Sequence, residues 1–295
     1  MNWSTMQARI KTLLDTKTQG ATAYDYWRAI QRFEFQRVPD LEWLVFKTAQ
    51  WKKAGIGNAT IAQRYAAVKW ILKHFPREFE PIDVREMLTY MSGIKPDEHE
   101  MEVATPEEAE HIISVSAPRE ALAIGMAYYG GLRLGEIAKS KLSHWQTDDS
   151  TGGLSLVIPS DTGIGKRTKT GRTRRIPVLP QLESLFYAYV DGERAERIAS
   201  SGIDTDDLLL TQRGRVAGIT KRRLGGLIEK ACHVCGYAHL HPHAFRHGLA
   251  TILARKTKDI KLIQSVLGHK NVSSTMRYIH MTQKEIADSM QAAFT

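Results

Sequence analysis

The stretch CHVCGYAHLHPHAFRHG, Cys232 to Gly248, holds two cysteines and five histidines in seventeen residues, and its reading decides what kind of fold the chain builds. A C-x-x-C pair followed by histidines offers the ligand types of a tetrahedral zinc site, which would staple a small module. The spacing opposes this. After Cys235 the histidines stand at 239, 241, 243 and 247, whereas a zinc finger needs about twelve residues between its cysteine pair and its first histidine. Cys232 and Cys235 read instead as positions on a helix that ends at Gly236, a residue suited to a C-cap. No metal is expected, and the imidazoles need another employment beside Arg246.

Working outward, 295 residues with 42% hydrophobic and 25% charged side chains describe a folded chain with room for two domains. The start, MNWSTMQARIKTLLD, has no apolar run behind a basic one, and ALAIGMAYYGGL is too short to span a bilayer. A cytoplasmic protein without a membrane partner is expected. Two cysteines three apart cannot form a disulfide framework. A formal charge of +9 favours a polyanionic partner, and its distribution sharpens the point. The run GKRTKTGRTRR, residues 165–175, carries six basic side chains and no acid, and TQRGRVAGITKRR, residues 211–223, carries five more. Two such runs on a chain with no acidic block look like a phosphate-backbone footprint, in which Lys166, Arg167, Arg172 and Arg174 are candidate DNA contacts.

The first 92 residues read as short helices. NATIAQRYAAVKWILKHF offers Thr60 as N-cap with Gln63 three later, then an apolar stripe of Ile61, Tyr65, Val68, Leu72 and Phe75. Lys69 and Lys73 fall off that stripe and are further candidate DNA contacts. Residues 93–104, GIKPDEHEMEVA, hold a proline and four acids without periodicity and read as a linker. TPEEAEHII then announces a helix, with Thr105 at the N-cap, Pro106 after it and Glu108 closing a capping box. A second domain, 105–295, is predicted from here. Its early part reads as helical through REALAIGMAYYGGLRLGEIAKS. Around LSLVIPSDTGIGKRTKTGRTRRIPV the period changes to two, with Leu154, Leu156 and Ile158 on one strand face and a return strand after the basic turn. From Gln181 onward helices are expected again.

Four pieces remain: GGLRLGE, KTGRTRRIP, HPHAFRHGLAT and LGHKNVSSTMRYIH. Singly each is weak. In this order they resemble the tyrosine recombinase (phage integrase) family, whose pattern is an arginine in GLR-x-x-E, a lysine in a β-hairpin, H-x-x-R-H at a helix start, LGH, and a tyrosine nine residues after that histidine. The resemblance covers nearly all of residues 105–280, and the helical unit before it fits the family's core-binding domain more loosely. It implies a mainly α fold: an N-terminal helical, SAM-like core-binding domain and a mostly helical catalytic domain with a small antiparallel β-sheet. No segment matching the arm-binding domain of larger phage integrases stands before it, so the simpler layout is expected.

The resemblance further implies Arg133, Lys169, His243, Arg246, His269 and Tyr278 as catalytic residues, with Glu136 and His247 supporting. Lys166 competes with Lys169, which stands eight residues before Pro177 as the hairpin lysine does in the family. The chemistry agrees. A phenol that displaces a 5′-oxygen from a phosphodiester needs fixed donors for the charge on the non-bridging oxygens, and guanidinium groups grip two oxygens at once. His269 would add a hydrogen bond, His243 take the phenolic proton, and Lys169 protonate the leaving oxygen. A 3′-phosphotyrosine conserves the bond energy, so religation needs no cofactor.

The expected function is site-specific DNA recombination (integration, excision or resolution) through a Holliday junction. The partners would be double-stranded core sites, a homotetramer in the synaptic complex and, in some systems, accessory DNA-bending proteins. A type IB topoisomerase-like enzyme and a non-catalytic DNA-binding protein of the same fold stand as alternatives. The last seventeen residues, IHMTQKEIADSMQAAFT, offer a tail helix with Ile286, Met290 and Phe294 on one side, suited to exchange between protomers.

Overall fold

The computed structural model describes residues 3–17, 21–32, 40–78, 81–95, 101–148, 152–159, 173–268, 275 and 278. The chain divides into two compact units, Met1–Glu100 and Met101–Thr295. The expected tail helix lies outside the described residues.

The first unit is built from α1 (Trp3–Lys17), α2 (Ala21–Arg32), α3 (Leu41–Lys53), α4 (Asn58–His74) and α5 (Pro81–Gly93). Each turns an apolar stripe inward, so Ile10, Leu14, Ile30, Leu44, Ile61, Tyr65, Val68, Leu72 and Met87 share one core. Tyr65 is buried with its hydroxyl 2.6 Å from Thr48 Oγ1, and burial pushes its pKa up to about 12. The predicted stripe of α4 faces this core, but the helix starts earlier than Thr60. Gly57 is its N-cap without a side-chain bond, and the Thr60 and Ile61 N–H groups bond Gly57 O. One further turn needs no polar cap where each added residue closes another backbone bond.

In the second unit α6 (Pro106–Val115) begins with the predicted capping box: Glu108 N donates to Thr105 Oγ1 at 3.2 Å and Thr105 N to Glu108 Oε2 at 2.9 Å. It is followed by α7 (Pro118–Tyr128), whose residues from Arg119 to Tyr128 are nearly all buried, and which packs against the neighbouring helices as the spine of the unit. Helical structure was expected through residues 119–140. The chain breaks at Gly131, which takes φ +64°, and resumes as the one-turn α8 (Leu134–Ile137). A side chain at Gly131 would meet Leu267 and Leu249 at 2.9 and 3.0 Å, so the bend also lets helices close up behind it.

Three antiparallel strands follow in the order β1 (Trp145–Thr147), β2 (Leu154–Ile158) and β3 (Arg174–Pro177). Leu156 pairs with Ile176 and both are buried. Then come α9 (Pro180–Tyr187), a π-helical segment Ala188–Arg194 and α10 (Ala195–Ser201). Residues 205–219 differ from the all-helical expectation. They form an irregular turn held by isolated bridges, Lys141 to Asp207 and Leu210 to Gly218, with Asp207 O and Thr205 O accepting from the buried Arg194. The unit ends in α11 (Lys221–Val234), α12 (Pro242–Thr257) and α13 (Ile260–Leu267). Cys232 is fully buried in the core on α11, where burial raises its thiol to about 11, and Gly236 at φ +83° follows the helix end.

Candidate active site

The Gly131 bend places Arg133 at the start of α8 rather than within a helix. Its N–H donates to Glu136 Oε2 at 2.8 Å and its Nη1 to Glu136 Oε1 at 3.1 Å. From β3, Arg174 adds Nη1 to Oε1 at 3.0 Å and Nη2 to Oε2 at 2.8 Å, a fork-to-fork pair. The buried carboxylate therefore accepts four donors. Burial alone would raise its pKa, but the bonds and charges of Arg174 and Arg133 together outweigh that and hold Glu136 at about 2. Arg174 was expected on DNA. It is turned inward, because on a strand it shares its face with the buried Ile176, while Arg175 points to the other face and bonds Ser155 and Gln146.

The C-terminal end of α13 collects these arginines. Its last carbonyls have no helical partner, and three guanidinium groups from three elements take them in succession. Arg174 Nε donates to Val266 O at 3.2 Å, Arg246 Nη2 to Leu267 O at 2.7 Å, and Arg133 Nη2 to Gly268 O at 3.3 Å. The negative pole of the helix offsets part of their mutual repulsion. Gly268 caps α13 at φ +64°, and a Cβ there would stand 3.0 Å from Arg174 Nη1.

Arg246 lies on α12, 4% exposed, and Gly131 O accepts its second bond through Nη1. Burial first, then the neighbouring Arg133, lower its pKa to about 9, which still leaves it cationic near neutrality. Two of its five N–H donors are committed to carbonyls among the described residues. His243, one turn earlier, opens onto a cleft of about 640 Å³ lined by Arg133, Glu136, Lys139, Thr220 and Lys221. The cleft wall strips part of its water, and His241, Arg246, Lys221 and Arg133 add positive charge, so its pKa is lowered and the ring is neutral near pH 7.

Tyr278 is 8% exposed, with its ring among Ala250, Ala254, Ile263 and Leu267. Its hydroxyl lies 2.5 Å from His247 Nδ1. Arg133, Glu136, His243, Arg246, His247 and Tyr278 thus come from separate stretches of sequence into one region of the second unit. Lys166, Arg167, Lys169, Arg172 and His269 lie outside the described residues. Lys69 and Lys73 are exposed on α4 of the first unit. Sequence reasoning missed Lys221, which was counted only as part of a basic run; its place as the first residue after the N-cap Thr220 would have marked it as facing whatever lies beyond that helix start. No group of three or more metal-ligating side chains occurs among the described residues.

Fold and grouped side chains define an enzyme of the tyrosine recombinase class. The model of the phage integrase family matches residues 102–285, and the chain belongs to that family. It is 24% identical over 285 residues to the tyrosine recombinase XerC of Bacillus subtilis (strain 168), covering 91% of this chain and 88% of that one. Among solved structures, the Tn1549 transposon integrase in complex with transposon right end DNA superposes with a TM-score of 0.77 at 16% identity, over 100% of both chains. The XerH site-specific recombinase bound to palindromic difH substrate gives 0.70 at 17% identity, over 98% of this chain and 85% of that one. These two establish likeness of fold. Among the described residues no helix is long and apolar enough to cross a membrane.

Proposed function

We propose that the protein recombines DNA at specific sites by transesterification through Tyr278. One observation carries this reading: α13 ends on Arg133, which lines the cleft, and on Arg246, next in the chain to the His247 that meets the buried Tyr278. A phosphodiester under attack gathers charge on its non-bridging oxygens, and donors already fixed in place stabilise that charge without reorganising. Arg133 and Arg246 supply the guanidinium donors, backed by carbonyls that hold their planes. His269 adds a donor at the same phosphate. His243, neutral and in the cleft, contacts the phosphate or takes the phenolic proton. Lys169 protonates the leaving 5′-oxygen. The Tyr278 oxygen bonds phosphorus as the bond to that oxygen breaks, and the 3′-phosphotyrosine keeps the energy for joining a new strand.

Residues 1–92 contact the core site through Lys69 and Lys73, the 93–104 linker joins them to the catalytic domain, and Lys166, Arg167 and Arg172 follow the DNA backbone. Exchange between two duplexes needs four active sites, so four copies assemble on paired sites in the cytoplasm, with tail helices packed between protomers. The test is a nicked suicide duplex that traps cleavage. The wild-type chain should form a covalent adduct in EDTA, and Tyr278→Phe should bind the same DNA and form none. An adduct with the phenylalanine variant overturns the assignment of the nucleophile.

A further inference from the structure

The reading above leaves open which group receives the proton of Tyr278. We infer that His247 takes the phenolic proton during cleavage and returns it during religation, leaving His243 to the phosphate. The inference rests on Tyr278 being the nucleophile. Three observations carry it. The Tyr278 hydroxyl stands 2.5 Å from His247 Nδ1, with ring centroids 5.7 Å apart. The tyrosine ring packs in the cluster of Ala250, Ala254, Ile263 and Leu267, and its backbone N–H donates to Thr275 O at 3.1 Å. His243 and His247 are one turn apart on α12, with ring centroids 6.4 Å apart, yet His243 borders the cleft with Arg133 and Lys221. One helix face thus presents a phosphate-facing imidazole, then Arg246, then an imidazole on the nucleophile.

For Nδ1 to accept, the neutral ring carries its proton on Nε2. In cleavage the O–H bond of Tyr278 breaks as Nδ1–H forms and the phenolic oxygen bonds phosphorus. The bond from phosphorus to the 5′-oxygen breaks, and that oxygen takes a proton from Lys169. The imidazolium formed beside Arg246 is offset by the charge gathering on the phosphate. Joining runs the same transfers backward.

The test uses the full chain in single-turnover cleavage of a suicide duplex. His247→Gln keeps an acceptor on the phenol but cannot carry its proton; His247→Ala removes both. Both should lose on the order of 10²-fold or more in cleavage while binding DNA like the wild type, and His247→Gln, which keeps the hydrogen bond, should also melt like it. Replacing Tyr278 by 3,5-difluorotyrosine, a more acidic phenol, should restore at least about tenfold in either variant, because a group that sheds its proton readily needs the base less. A 5′-bridging phosphorothiolate substrate, whose leaving group needs no proton, should rescue Lys169→Ala and not the His247 variants.

Wild-type cleavage by His247→Gln overturns the inference. So does a loss that difluorotyrosine leaves untouched, since that marks packing alone, or rescue by the phosphorothiolate, which would put His247 on the leaving group. If Tyr278→Phe still forms an adduct, the underlying reading of the nucleophile fails instead. Tyr278→Phe without adduct beside an intact His247→Gln refutes His247 alone.

Discussion

In the first unit Lys69 and Lys73 are exposed on α4, whose inner face is Ile61, Tyr65, Val68 and Leu72. In the second unit the charges go inside: among the described residues the buried ionic side chains are Arg119, Glu136, Arg194 and Arg246, all from this unit. An exposed cation is strongly solvated and interchangeable with its neighbours, so it adds affinity without fixing geometry. A buried guanidinium costs several kcal/mol in desolvation unless carbonyls and carboxylates replace its water, and those partners dictate its orientation. Arg194 shows that such burial also serves plain architecture, since its donors go to Thr205 O and Asp207 O and close a turn. Arg246 differs by sharing the end of α13 with Arg133 and by standing next in the chain to the His247 that meets Tyr278. Under the proposed function, that difference predicts that the surface cations set affinity and the buried guanidinium groups set rate.

The sharpest way to break that comparison is Arg246→Ala. It should lower single-turnover cleavage of bound DNA on the order of 10²–10³-fold, and it should also lower the melting temperature, because Gly131 O and Leu267 O each lose a buried donor worth about 1–3 kcal/mol. A variant with weakened binding but unchanged cleavage at saturation would place Arg246 with the surface cations.

Next in size is the acid response of Glu136. Its folded pKa of about 2 lies below the ordinary 4.5, so its contribution to stability is present in full above pH 4.5 and is lost as pH falls from there toward 2. That contribution amounts to roughly 3 kcal/mol. Glu136→Gln should flatten this part of the stability profile in acid titrations followed by circular dichroism. An unchanged slope would show that the Arg174 fork does not hold the carboxylate ionised.

The smallest effect belongs to the first unit. Lys69→Ala with Lys73→Ala should reduce the slope of log affinity against log salt by about 0.9 for each phosphate contact removed, and leave cleavage at saturating DNA unchanged. A change in the saturated rate would mean that surface cations also set geometry.

Much of this was legible beforehand because local chemistry decided it. Thr105, Pro106 and Glu108 announced α6, Leu154 and Ile158 announced a strand, and the ordered motifs named Arg133, Glu136, Arg246 and Tyr278, which the fold gathers in one region. The inward turn of Arg174 onto Glu136 was not foreseen, although period two puts it on the face of Ile176. A run of cations masks alternation when each residue is weighed only for its charge. The break before Arg133 was also hidden, since Gly130 and Gly131 are tolerated within a helical pattern and only close approach of Leu249 and Leu267 selects the bend. The pairing of Tyr278 with His247 joins residues 31 apart across a packed cluster, which no periodicity encodes.

The three arginines on the end of α13 also set an order of events during synthesis. Arg133 reaches Gly268 across 135 residues, Arg174 reaches Val266 across 92, and Arg246 reaches Leu267 across 21. Contacts of such separation close late, and the chain leaves the ribosome from its N-terminus. Before Leu267 and Gly268 have emerged, Arg133 and Arg174 can meet Glu136 and Arg246 can meet Gly131 O, but the α13 carbonyls that bind all three are still missing. The carbonyl bonds that complete the orientation of Arg133, Arg174 and Arg246 are therefore among the last contacts of the second unit to form.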